Sequence, residues 1–200
     1  MKKVLLLLFA LLATSNVFAE KKVSEYNSSY FKKKYDIEST DVKNGSFTYY
    51  IYCESKDSYH KTVGFSLESS EIPNFVKNLQ AIKEKFAEWT QVAKDNNVTD
   101  YDKTFDVSFK SVHCFFLYGK DWHFTSTRFT PYFKVTKDSE YLVVFNVGEL
   151  TASDNRYMDI DGFFIVFQDG NEIDEFIQAI DPSHALEVSD TRSKKDALFE

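Results

Sequence analysis

The chain has 200 residues, 43% hydrophobic and 17% aromatic, with 24 basic against 31 acidic side chains and a net charge of −7. That surplus of acid argues against nucleic acid or an anionic membrane surface as the partner. With 6 glycines, no Rossmann fingerprint and no Gly-x-Ser-x-Gly elbow, phosphate-loop and serine-hydrolase motifs find no support.

Met1-Lys2-Lys3 is a short basic start, Val4 to Leu12 is apolar, and Val17-Phe18-Ala19 resembles a small-residue cleavage site. Residues 1–19 therefore read as a bacterial-style secretory signal peptide rather than a membrane anchor, for which the apolar run is too short. The expected location is periplasmic or secreted, with no membrane association after cleavage. Cleavage would remove Lys2 and Lys3 and no acid, taking the net charge from −7 to −9. The remaining length suits one domain with a real core.

Residues 20–45 are polar without a sustained period and read as an N-terminal arm, with Lys32-Lys33-Lys34 as a solvated turn. A single domain is expected over 46–182, followed by a polar C-terminal tail over 183–200. Phe47 to Cys53 has the aromatic and β-branched composition of a strand. Thr62 to Leu67 alternates, with Val63, Phe65 and Leu67 on one face. Ile72, Phe75, Val76, Leu79, Ile82, Phe86 and Trp89 then form one stripe of a long helix, from about residue 70 to 93 and roughly 36 Å in length. Ser69 or Ser70 is placed to cap it, Pro73 is tolerated in its first turn, and Asp95-Asn96-Asn97 ends it.

Phe105, Val107, Phe109, Phe115 and Leu117 all take odd positions and predict one long strand against that helix. Tyr118-Gly119-Lys120-Asp121 predicts a two-residue hairpin loop that pairs Leu117 with Trp122 and Phe115 with Phe124. Those four side chains are then taken as the core face. Further strands are expected over residues 122–129, 131–136, 141–147 and 160–167, the last continuously apolar and so central. Ile173, Phe176, Ile177 and Ile180 mark a second, shorter helix. The fold class is therefore α+β, a mainly antiparallel sheet with one long and one shorter helix packed on one face. Gly64-Phe65-x-Leu67 and Gly162-Phe163-x-Ile165 each precede a helix stripe. They read either as a duplicated strand–strand–helix unit or as two β-to-α transitions that converged.

Cys53 and Cys114 are a candidate disulfide in an exported chain, the alternative being two buried thiols. The histidines His60, His113, His123 and His184 include no i, i+4 pair, and no cysteine pair has zinc spacing. No metal and no cofactor are expected. His113 is expected to be a hydrogen-bonded structural residue. Asp159, Asp161, Asp169, Glu172, Asp174 and Glu175 cluster in sequence, yet lack the spacing of a calcium loop. With the core face assigned as above, Tyr50, Tyr52, Phe116 and Tyr118 point outward, and with His123 they are the candidate binding residues. The first reading is a non-catalytic binding module for a protein, peptide or glycan. The others are a small hydrolase built on His123 and scattered acids, and an assembly subunit.

Overall fold

The computed structural model describes residues 21–196, so the signal-peptide reading lies outside the described residues. β1 (Lys21–Ser28) and β2 (Lys33–Ser39) form an antiparallel hairpin that pairs Tyr26 with Tyr35. This corrects the expected N-terminal arm. Tyr26, Tyr35 and Ile37 turn into the core, while the lysines and acids between them conceal the period in sequence. β3 (Thr48–Tyr52), β4 (Glu54–Ser55) and β5 (Val63–Glu68) lead into α1 (Ile72–Asp95). Then follow β6 (Tyr101–Thr104), β7 (Ser111–Tyr118), β8 (Asp121–Arg128), β9 (Tyr132–Val135) and β10 (Tyr141–Val147). β11 (Leu150–Thr151), β12 (Asp159–Ile160), β13 (Phe163–Phe167), α2 (Gly170–Ala179) and α3 (Ser183–Asp196) complete the order. The segment expected to be a polar tail thus contains α3.

The strands form a 6-stranded sheet, β1-β2-β3-β5-β7-β8, a 5-stranded sheet, β4-β13-β10-β9-β6, and a small β11-β12 ribbon. Every pairing is antiparallel. The chain crosses between the large sheets at Cys53. Its N–H still donates to the Val63 carbonyl at 2.9 Å, whereas the next residue, Glu54, pairs with Phe164 of β13. Both sheets turn one face to the helices. Phe65 of β5 stacks on Phe75 of α1 at 5.8 Å and on Phe163 of β13 at 6.3 Å, and Phe86 of α1 meets Phe133 of β9 at 5.9 Å. α2 closes the same layer through Phe176, which contacts Tyr26 of β1 and Phe167 of β13. The chain is therefore α+β and mainly antiparallel, with the long and the shorter helix on one face.

The stripe of α1 is buried at Ile72, Phe75, Leu79, Ile82 and Phe86, as its spacing requires. Its cover differs from the single long strand expected. β7 begins only at Ser111, and Phe105 and Phe109 precede it in irregular chain. They are nonetheless buried, Phe105 stacked on Trp89 at 4.9 Å and Phe109 against Phe75 at 5.1 Å. The serines do not cap the helix. Glu71 is the N-cap residue without a side-chain cap bond; its carboxylate instead accepts from the Glu68 N–H at 3.1 Å, and Ser69 Oγ accepts from the Phe47 N–H at 3.4 Å.

Both halves of the chain build a three-stranded antiparallel meander and then a helix: β2-β3-β5-α1 and β9-β10-β13-α2. The two glycines of the sequence echo differ in environment. Gly64 lies inside β5, whereas Gly162 precedes β13 at φ +88°, splitting the strand expected over 160–167. The likeness is one of topology rather than of residue surroundings.

The start of α2 is tied down by two acids. Asp169 accepts from the N–H groups of Asn171 and Glu172 at 2.8 and 2.9 Å. Glu172, itself buried, accepts from Gln168 N–H at 2.7 Å and from Ser29 N–H, in the β1–β2 turn, at 3.2 Å. The first bond ties the residue before the N-cap back to the first turn of the helix; the second fastens the N-terminal hairpin to the helix layer. Glu172→Ala leaves both donors without that partner and is expected to cost about 1.5–3 kcal/mol, with Glu172→Gln costing less. Urea midpoints of the two variants check this, and equal losses would contradict it.

Candidate functional site

Two side-chain rows on the outer face of the six-stranded sheet make the site. Val63, Phe65 and Leu67 of β5 face the helices, which turns Gly64 and Ser66 outward. The register then places Tyr52, Gly64, Phe115 and Phe124 side by side on β3, β5, β7 and β8. Tyr50, Ser66, His113 and Ser126 form the neighbouring row, and Leu117 pairs with Trp122 on the other side. Gly64 has a specific use here. A Cβ at this position would lie 2.7 Å from Phe115 Cζ, so the missing side chain is what admits the Phe115 ring over β5.

Phe115 is only 2% exposed although it faces outward, because other rings surround it. Tyr50, Tyr52 and Trp122 stand around it at 5.5, 5.3 and 5.8 Å, with planes inclined to its own by 63°, 79° and 67°. The result is a shallow cradle with Phe115 as floor and Tyr50, Tyr52, Trp122 and Phe124 as walls. Trp122 remains 43% exposed and Phe124 53%. At the rim, Tyr52 Oη donates to Glu38 Oε2 at 2.9 Å. Beyond Glu38, the Lys22 ammonium lies 2.7 Å from both Glu25 and Asp36, and Lys34 also pairs with Glu25.

The structure brings only part of the predicted set together. Tyr50 and Tyr52 lie in the cradle. Phe116 does not: it is fully buried on the helix side, with Val112 and Cys114. The hairpin register is as expected, Leu117 opposite Trp122 and Phe115 opposite Phe124, but the faces are reversed. The odd positions of β7 are the more hydrophobic set at its C-terminal end, so hydrophobicity alone selects the wrong face. The signal that could have found Phe115, Trp122 and Phe124 is Gly64, whose outward position opposite Phe115 leaves room for a ring only on that side.

Tyr118 and His123 belong to a second cluster. Tyr118 stacks on His60 at 4.2 Å, and His60 Nδ1 lies 3.2 Å from Asp57 Oδ2. Backbone N–H groups of His60 and Tyr59, together with the His60 ring, hold the Asp57 carboxyl down at about 2. His123 pairs with Phe116 across the hairpin and is 6% exposed. Its Nδ1 lies 3.2 Å from Asp154 Oδ1, and its ring holds that carboxyl below the usual carboxylate range. Nε2 is buried without a hydrogen-bond partner, and the centre of the imidazole ring lies 5.6 and 6.4 Å from the ring centres of Phe116 and Tyr118. This is a buried, oriented imidazole set among aromatic rings, paired with a carboxylate that is itself exposed. Among the described residues no hydroxyl or thiol nucleophile hydrogen-bonds to it. His113 lies on the opposite, outer face, where its Nδ1 is 3.1 Å from Ser126 Oγ.

Cys53 and Cys114 are both buried and free, which corrects the candidate disulfide. β5 lies between β3 and β7, so the cysteines are separated by two strand spacings, about 9.5 Å; a disulfide needs Cα atoms within about 7 Å. Burial pushes the Cys114 thiol up to about 12 and that of Cys53 well above its ordinary value, so neither is a ready nucleophile. Three of the six acids clustered in sequence have structural partners: Asp169 and Glu172 at the start of α2, and Asp174 with Lys83 at 2.5 Å. No group of three metal-ligating side chains occurs among the described residues.

Fold and site together define an α+β protein that carries an aromatic cradle on the outer face of its six-stranded sheet. No known protein family, curated protein or solved structure matches the chain. No helix among the described residues is long and apolar enough to cross a membrane.

Proposed function

We propose that this chain is an exported, non-catalytic binding module that holds a protein partner on the outer face of its six-stranded sheet. The observation that carries the reading is the cradle itself. Rings from β3, β7 and β8 converge around Phe115, with Trp122 and Phe124 each about half open to solvent. Covering the exposed parts of those two rings would remove about 200 Å² of apolar surface from water, roughly 5 kcal/mol before the costs of association. A buried tryptophan at the centre of a contact is the usual energetic anchor of a protein interface. Export rests on the residue 1–19 pattern and is tested by mass spectrometry of secreted protein, where an intact Met1 would count against it.

The module reading is tested by selecting displayed peptides on the mature chain and measuring their affinity for Trp122→Ala. Because Trp122 is half exposed, the variant should fold, which circular dichroism verifies. Selected peptides are expected to bind it about 30-fold or more weakly. Peptides that bind the variant as well as the native chain would move the site elsewhere.

The hydrolase reading has one supporting observation, the His123–Asp154 pair. The burial of that imidazole, with no hydroxyl or thiol hydrogen-bonded to it among the described residues, weighs against it, and the binding reading is preferred.

A further inference from the structure

We infer that the group held in the cradle is a cation, the guanidinium of an arginine side chain presented by the protein partner. The inference rests on the binding-module reading and specifies its ligand chemistry.

The first support is geometric. The half-exposed rings of Trp122 and Phe124 border a cradle that Tyr50 and Tyr52 complete, and ring faces attract a positive charge through their quadrupole. The second is the rim carboxylate. Glu38 pairs across the strands with Tyr50 and accepts from the Tyr52 hydroxyl, which fixes a negative charge beside the aromatic walls. A neutral apolar side chain entering the cradle would strip water from Glu38 and return nothing. A guanidinium stacks on the rings and donates to the carboxylate as well.

The charges around the cradle agree with this. The four cations of β1 and β2 are already engaged: Lys21 with Asp41, Lys22, which lies across the strands from Glu38, with Glu25 and Asp36, Lys34 with Glu25, and Lys33 with Glu54 at 2.8 Å. Arg128 lies four residues beyond Phe124 along β8, about 13 Å away. Lys120, at the hairpin loop, is followed in sequence by Asp121, and His113 is hydrogen-bonded to Ser126. The chain as a whole carries −7, which draws basic partners toward it. The same contact also occurs within the molecule, where Lys103 Nζ lies 4.5 Å from the ring centre of Trp89.

The experiment uses three capped tripeptides that differ only in the central residue: arginine, its neutral isostere citrulline, or norleucine. Trp122 fluorescence is read in Trp89→Phe, which leaves one indole. The Trp122 indole N–H resonance of the unmodified chain gives the same reading without that substitution. The arginine peptide is expected to give a saturable change in the millimolar range and to bind about 3- to 10-fold more tightly than the citrulline peptide. Glu38→Gln keeps an acceptor for Tyr52 and should reduce that preference at least 2-fold without weakening norleucine binding. A norleucine peptide that binds as well as the arginine peptide overturns the cation and leaves the module standing. A Trp122 signal silent toward all three overturns both.

Discussion

Phe65→Ala is expected to remove about 3–5 kcal/mol of stability, as large-to-small changes at filled core sites do. Phe65 is fully buried at the centre of the aromatic layer, where it contacts Phe75, Phe129 and Phe163. These neighbours come from α1, from the link between β8 and β9, and from β13, so one ring joins both large sheets to the long helix. Its loss leaves a cavity that three separate elements would have to move to fill. At about 2–4 °C per kcal/mol, the melting temperature should fall by roughly 6–20 °C. Thermal unfolding followed by circular dichroism checks this; a fall of less than about 3 °C would mean that the layer repacks freely.

Gly64→Ala is expected to cost about 3 kcal/mol or more and to distort the cradle as well. The added Cβ would lie 2.1 Å from the Ile51 carbonyl oxygen and 2.7 Å from Phe115 Cζ. The ring could swing away, but the carbonyl belongs to the backbone of β3 and cannot yield without disturbing the sheet. Two readouts should therefore change together: the melting temperature falls, and Trp122 emission shifts as Phe115 leaves its place beneath it. Gly148→Ala is the control, because nothing lies within 4 Å of its added Cβ. That substitution should stay within about 0.5 kcal/mol. A Gly64→Ala protein as stable as the Gly148→Ala protein would show that the glycine gap does not shape the site.

Local periodicity made much of the secondary structure legible. The α1 stripe, the hairpin register around Gly119-Lys120 and the stripe of α2 all follow from spacings within one segment, and each is found where expected. The site was half legible. Alternation along the strands places Tyr50 and Tyr52 on the outer face, but it assigns Phe115, Trp122 and Phe124 to the core and Phe116 to the surface, the reverse of the faces they take. In a hairpin that carries rings on both faces, pairing fixes which residues are neighbours and leaves open which face is covered. Helices on one side and solvent on the other decide that, and both lie far away in sequence.

Local patterns specify the α+β class, the long amphipathic helix and the Phe115–Phe124 pairing, because each depends on side chains a few residues apart. Packing of the whole chain set the rest. It joined the polar-looking hairpin of residues 21–39 to the main sheet, and it set β5 between the two cysteines so that they remain thiols. It also turned Gly64 beneath Phe115 to open an aromatic cradle beside Glu38. These outcomes depend on which strands become neighbours, and strand order is set by packing the whole chain around one core rather than by any local pattern.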